Sequence, residues 1–351
     1  MNKIADKIYD DIASCYLDRN GIYQDGFPED VLRIIRDNKI FKLFLPETLG
    51  GRGMSLQETL TVIQRCAYIN GTLGWLVQIG NGGNYFAGYF DEKTSHELFS
   101  PANAVLAGSG AVTGTASPVE GGYKVSGRWK YASGSAHASF FTISCKVEGS
   151  DQCISCALMP EQVNVIDDWK SIGMRFSTTN TFTAENQFVP HNHVFGLTEQ
   201  KCLNDFSIFS FPFLSFAQAF FLSVQYGLLS RILHEASADV VKNEERWKVQ
   251  HADRITAIRK SILSGMQMQI TFARELNTLV DLIGKSAGDE QNKLVTELDS
   301  KAKTQNTAIL HEAQGLFALM GMEVLYETHP INIAYRDMIT CGQHSLLNNY
   351  K

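Results

Sequence analysis

The 351-residue chain is 44% hydrophobic and 19% charged, and its 31 basic against 37 acidic residues leave a formal net charge of −6. That composition excludes an intrinsically disordered protein, leaves room for two or three domains and, with no strongly basic run, argues against a nucleic-acid partner. Its seven cysteines are odd in number and scattered, so no disulfide framework is indicated.

Residues 1–16 interleave Lys3, Asp6 and Asp10 with Ile4, Ile8 and Ile12. This is an amphipathic helix and not a signal peptide. Up to about residue 103 the pattern stays helical: Val31, Leu32, Ile34 and Ile35 form one apolar stripe, Leu56, Leu60, Ile63 and Ala67 another. Pro28 and Ser55 stand at expected helix starts. Between these helices the glycine-rich segment 45–53 could cradle a phosphate, but it lacks the strand–loop–helix setting of a dinucleotide site.

From about 104 to 203 the texture changes to short alternating runs at 105–107, 123–131, 140–147, 154–159, 163–166 and 181–189, punctuated by glycine, proline and asparagine. These predict an all-β module, a small barrel or sandwich. The most informative run is 121–137. It opens on Gly121-Gly122, alternates with Tyr123, Val125, Trp129 and Tyr131 on one face, and ends in Ser133-Gly134-Ser135. A strand that delivers an aromatic ring and a hydroxyl to a glycine turn suits a flat, polar-edged cofactor such as a flavin. Cys153 and Cys156 have CxxC spacing but no second pair, and are expected as two buried thiols with no metal.

From 204 to 351 helices return. Residues 206–230 carry no charge, and their length would span a bilayer. Pro212, Gln218 and Gln225 instead favour a helix buried in a bundle, with no membrane partner. Periodic stretches at 239–283 and 292–319 follow, separated by a glycine break.

This α–β–α order carries separated motifs. They are Leu45-Pro46-Glu47 with Gly50-Gly51, Gly74-Trp75, the 121–134 strand, the stretch from Trp169 to Arg175 with Phe188-Val189-Pro190, and Pro330 followed by Tyr335-Arg336-Asp337 and His344. Taken together they resemble the acyl-CoA dehydrogenase superfamily over nearly the whole chain, and within it the two-component flavin-dependent monooxygenases. The resemblance implies an α+β multidomain protein: an N-terminal helical domain (1–103), a central β-barrel (104–203) and a C-terminal four-helix bundle (204–351). It further implies FAD or FMN, bound in reduced form and supplied by a separate flavin reductase, a small organic substrate oxidised with O2, a homotetramer or homodimer, and a cytoplasmic location.

The same resemblance assigns roles. Ser133 would contact flavin N5, and Tyr131 would lie against the ring. Trp169, Arg175, Ser177 and Thr179 would reach the cofactor, with Arg175 on a phosphate or carboxylate. Trp75, His137, Thr178 and the aromatics of 206–216 would line the substrate side. His344 would serve as general acid or base, while Arg336 and Asp337 read as a structural ion pair. Three departures shape the reaction. No acid follows Asp337, where the dehydrogenases place their base. Only Gly321 remains of a glycine pair that helps hold FAD. No histidine precedes His96, so a phenol is not handled in the usual way. Two alternatives remain: a dehydrogenase with its base moved to Glu312 or Glu323, and a flavin-binding scaffold without catalysis.

Overall fold

The computed structural model describes residues 6, 10–13 and 29–349; most of the expected N-terminal helix, and Pro28, lie outside them. From Glu29 on, four α-helices come first: α1 (Glu29–Asp37), α2 (Leu56–Ile69), α3 (Gly71–Asn84) and α4 (Glu92–Phe99). Helix α2 starts where the sequence predicts, because Ser55 and Glu58 bond each other's backbone N–H in a capping box. Asn70 caps α3 by accepting from Leu73 N at 3.1 Å. The glycine-rich loop at 45–53 is a tight reversal. A Cβ on Gly51 would lie 1.8 Å from the Leu45 carbonyl oxygen, so only glycine fits there.

Seven strands follow: β1 (Leu106–Val119), β2 (Gly122–Ala132), β3 (Phe140–Val147), β4 (Cys153–Leu158), β5 (Asn164–Ile166), β6 (Asn180–Pro190) and β7 (Val194–Phe195). They form one sheet in the order β5-β6-β2-β1-β3-β4-β7, antiparallel except for the parallel β1–β3 pair. The expected barrel is corrected here. The ladder ends at β5 and β7, so the sheet is open, though it curls enough to hold its own apolar cluster around Trp129, Phe141 and Phe182. Trp129 and Phe182 stack with centroids 5.4 Å apart.

Two parity errors have simple causes. Tyr131 was expected on the Trp129 face. Instead, Trp129 pairs with Phe182 and Ala132 with Asn180, so β2 carries an extra residue. Tyr131 takes it up at φ 67. The bulge reverses the alternation, leaving Tyr131 68% exposed and turning Ala132 inward. Cys153 is exposed while Cys156 is buried, because positions three apart on a strand point to opposite faces.

The C-terminal region comprises α5 (Phe213–Lys285), α6 (Gly288–Met320) and α7 (Pro330–Gly342). Helix α5 is assigned as one run of 73 residues, yet Gln269 Nε2 donates to Tyr226 O at 3.3 Å. A straight helix would hold those positions roughly 65 Å apart, so the run folds back on itself. Its first arm, Phe213–Trp247, is long and apolar enough to cross a membrane, but 78% of its most apolar window is buried inside the fold. That burial accounts for the uncharged stretch as core. Gln225 Nε2 donates to Asn306 Oδ1 at 2.7 Å, tying this arm to α6 in the interior.

Candidate active site

The site forms where α3, strands β1 and β3, the 169–179 loop and the C-terminal helices meet. Trp75 stacks on Phe221 of α5 at 5.4 Å and donates its Nε1–H to Ser133 Oγ at 2.8 Å. Ser133 Oγ lies 2.8 Å from Thr179 Oγ1, Thr179 Oγ1 lies 2.7 Å from Ser177 Oγ, and Ser177 donates to Met174 O at 2.8 Å. Each hydroxyl has one proton, so the direction is determined. Ser177 gives its proton to the carbonyl and accepts from Thr179, which in turn accepts from Ser133. Ser133, Ser177 and Thr179 are all buried. In this arrangement Ser133 is an acceptor toward Trp75 and has no proton left for a ligand. It becomes a ligand donor if the chain reverses, with Ser177 giving to Thr179 and Thr179 to Ser133. The Met174 carbonyl would then keep Trp169 Nε1–H at 2.9 Å and Ser177 N–H at 3.1 Å.

Two cavities adjoin this chain, one through Trp169 and the other through Phe221 and His344, whose rings meet Trp75; Trp75, Ser133, Ser177 and Thr179 themselves line neither. The first, about 540 Å³, is lined by Trp169, Lys170, Arg175, Glu327 and Arg336 among others. Arg175 is exposed and pairs with Glu327 at 3.5 Å, a solvated contact worth little. Arg336 Nη2 donates to Glu327 O at 2.9 Å, while its buried Nε has no partner. The second cavity, about 430 Å³, lies between α3, β1, β3 and α5, with His344 and Leu346 closing one side. Phe213 and Phe216, expected on the substrate side, line it together with Phe220 and Phe221; Phe206, Phe209 and Phe211 do not. None of its described lining residues is charged.

His344 sits with its ring 3.9 Å from Phe221, and its Nδ1 accepts from Leu346 N at 3.3 Å. Burial pulls its pKa down from 6.5 to about 4. The imidazole is therefore neutral near pH 7 and carries its proton on Nε2, a donor and not a cation.

Asp337 makes no close ion pair with Arg336, although the Arg336 charge still favours its ionised form. Fully buried, it accepts from the backbone N–H groups of Met174 and Gly71, and burial raises its pKa from 3.8 to about 6. The carboxyl thereby pins the N-terminus of α3 and the 169–179 loop to α7. Two glycines permit that contact: a Cβ on Gly71 would lie 2.5 Å from Asp337, and one on Gly173 2.1 Å from Arg336 O.

The structure thus brings Trp75, Ser133, Ser177, Thr179 and His344 together, and links them to Trp169 through the Met174 carbonyl. Tyr131 stands in solvent. Thr178, at φ 43, uses its carbonyl to accept from Ser135 Oγ at 2.6 Å. His137 is half-buried, its pKa lowered by burial and then by Arg36, and lines neither cavity. Glu312 accepts from Ser261 at 2.8 Å and Glu323 pairs with Arg246 at 3.2 Å; neither reaches the second cavity. Sequence reasoning missed Gln78, which lines that cavity. Its signal was position, one turn after Trp75 on an otherwise apolar helix face.

No family model matches the chain. It is 27% identical over 212 residues to a pigment production hydroxylase of Rhodococcus sp. (strain ATCC 21145), a match covering 57% of this chain and 55% of that protein. The chain thus spans about half the length of that relative. It is 25% identical over 341 residues to an indole-3-acetate monooxygenase of Pseudomonas putida, covering 93% of this chain and 85% of the relative. Among solved structures, the HsaA monooxygenase of M. tuberculosis superposes with a TM-score of 0.82 at 19% identity, over 99% of this chain and 92% of that one. XiaF of Streptomyces sp., solved in complex with FADH2 and glycerol, superposes with a TM-score of 0.80 at 18% identity, over 98% of this chain and 93% of that one. The chain therefore has the acyl-CoA dehydrogenase-like fold of the oxygenase components of flavin-dependent monooxygenases.

Proposed function

We propose that the chain is the oxygenase component of a two-component flavin-dependent monooxygenase acting on a small aromatic substrate. The observation that carries this reading is the second cavity, an aromatic chamber with no charged residue among its described lining and a neutral histidine donor beside the Trp75–Ser133 pair. The dehydrogenase alternative needs a carboxylate base at the reacting carbon, and no described Asp or Glu lines that chamber.

The residues present fit a flavin. The unpartnered Arg336 Nε, with Arg175 and Lys170 on the same cavity, suits a phosphate-bearing tail. Trp169, Ser133, Ser177 and Thr179 would hold the ring end. Reduced flavin, when bound, supplies the activation of O2. The protein's share is to exclude water with Phe216, Phe220 and Phe221, to offer the Ser133 hydroxyl as donor once the chain reverses, and to present His344 Nε2–H to charge developing on oxygen. The same reading includes FADH2 or reduced FMN delivered by a separate reductase, and three units at 1–103, 104–203 and 204–351. It also includes a C-terminal four-helix bundle, a homotetramer or homodimer, and a cytoplasmic location. The six free described cysteines accord with a reducing compartment.

The test is to load the protein anaerobically with reduced FMN or FADH2, then admit 18O2 with candidate aromatics. The reading expects one labelled oxygen atom in the product. Product without label, or oxidation of an acyl-CoA without O2, overturns it.

A further inference from the structure

Helix α3 turns one face to the second cavity: Gln78, Ile79, Gly82 and Gly83, with Trp75 one turn earlier. This is the i, i+3, i+4, i+7, i+8 spacing of a single stripe. Gly82 keeps the space open, since a Cβ there would find its nearest neighbour, Phe220, only at 4.0 Å; Gly83 instead lets Leu106 pack against the helix, where a Cβ would lie 2.8 Å from it. On that stripe Gln78 is the exception. It is 3% exposed, and its Oε1 has no hydrogen-bond partner. The other buried amides of α3 are engaged. Asn81 accepts from Leu43 N at 2.8 Å and donates to Ile40 O at 2.7 Å, and Asn84 donates to Phe41 O at 2.6 Å. A buried amide left unpaired opposes folding, and a leucine or methionine would fill the same volume without that cost.

We propose that Gln78 is the substrate-recognition residue of this chamber: its amide carbonyl accepts from a ring N–H or hydroxyl of an uncharged aromatic ligand. The inference rests on the oxygenase reading for the identity of the chamber. His344 Nε2–H supplies a second polar contact. The absence of charged side chains among the described lining residues disfavours carboxylates, whose charge would lie buried and unpaired. A chamber of about 430 Å³ accommodates one or two fused rings.

The test uses the full chain, with and without oxidised FMN, and isothermal titration calorimetry, so that the readout is binding and not turnover. The probes are indole, 1-methylindole and indole-3-carboxylate at pH 7.5. Indole should bind about tenfold or more tighter than 1-methylindole, because methylation leaves the buried acceptor unpaired; the carboxylate should bind weakest. Gln78→Leu should bring indole and 1-methylindole to within about threefold by strengthening the methylated probe. Equal binding of the two by the parent chain, a preference that survives Gln78→Leu, tightest binding of the carboxylate, or no binding of any probe overturns the proposal. Should Gln78→Leu not fold, judged by thermal melting, the parent's ranking of the three probes decides. A parallel titration with reduced FMN and FADH2 separates the two readings. Ranked probes without flavin binding would sink the oxygenase and keep Gln78; flavin binding without ranking would do the reverse.

Discussion

His344 and Asp337 are buried titratable groups whose shifts have opposite consequences. The unfolded chain protonates His344 near 6.5 and the folded chain near 4. Its contribution to stability is therefore complete above about pH 6.5 and is lost as pH falls to 4. Asp337 has a folded value near 6 against 3.8, so its contribution is complete below 3.8 and is lost as pH rises through 6. Each is worth about 3 kcal/mol, and over pH 4–6 they largely cancel in the parent chain. Relative to the parent, His344→Asn should gain stability as pH falls from 6.5 to 4, and Asp337→Asn should lose it. Urea midpoints between pH 4 and 8 measure both, and parallel slopes for the two variants would contradict the assignment. The same numbers sharpen the chemistry. A histidine with a pKa near 4 is a poor base at pH 7, and its working form there is the Nε2–H donor.

At the scale of elements, the 169–179 loop is the piece that assembles the site. It contributes Trp169, Ser177 and Thr179, holds Met174 at φ 50, and lies against α7 only because Gly173 has no side chain. Gly173→Ala would drive a Cβ to 2.1 Å from the Arg336 carbonyl, backbone against backbone, with no flexible end to yield. The expected cost is about 2–4 kcal/mol in stability, from overpacking. Activity should fall with it, because the hydroxyl chain and the Trp169 contact move together. Chemical denaturation of Gly173→Ala beside Gly53→Ala provides the comparison: Gly53 has open space around it but φ 60, so its substitution reports backbone strain alone, about 1 kcal/mol.

Across the whole molecule, the second arm of α5 exposes Leu263, Met266 and Ile270, spaced i, i+3 and i+7 on one stripe. Scattered exposed apolar residues are ordinary, but a stripe of this kind marks an interaction surface. It supports the proposed homo-oligomer. Leu263→Glu with Ile270→Lys should shift the mass in light scattering toward a monomer while leaving the thermal melt of the fold itself cooperative. An unchanged mass would place the interface elsewhere.

Much of this was readable from residues alone. Five of the strands lie within a residue or so of the alternating runs, and α2 begins at its Ser55 capping box, because side-chain period and capping are local properties of the chain. The α–β–α order was likewise legible. The remainder depended on contacts between distant segments. A single bulged residue turned Tyr131 out, Asp337 took backbone N–H groups in place of a close ion pair with Arg336, and Gln78 kept a buried amide oxygen without a partner. Periodicity records which face a residue occupies; the groups it meets there, and whether its polar atoms are satisfied, are settled only when remote helices and strands close around it.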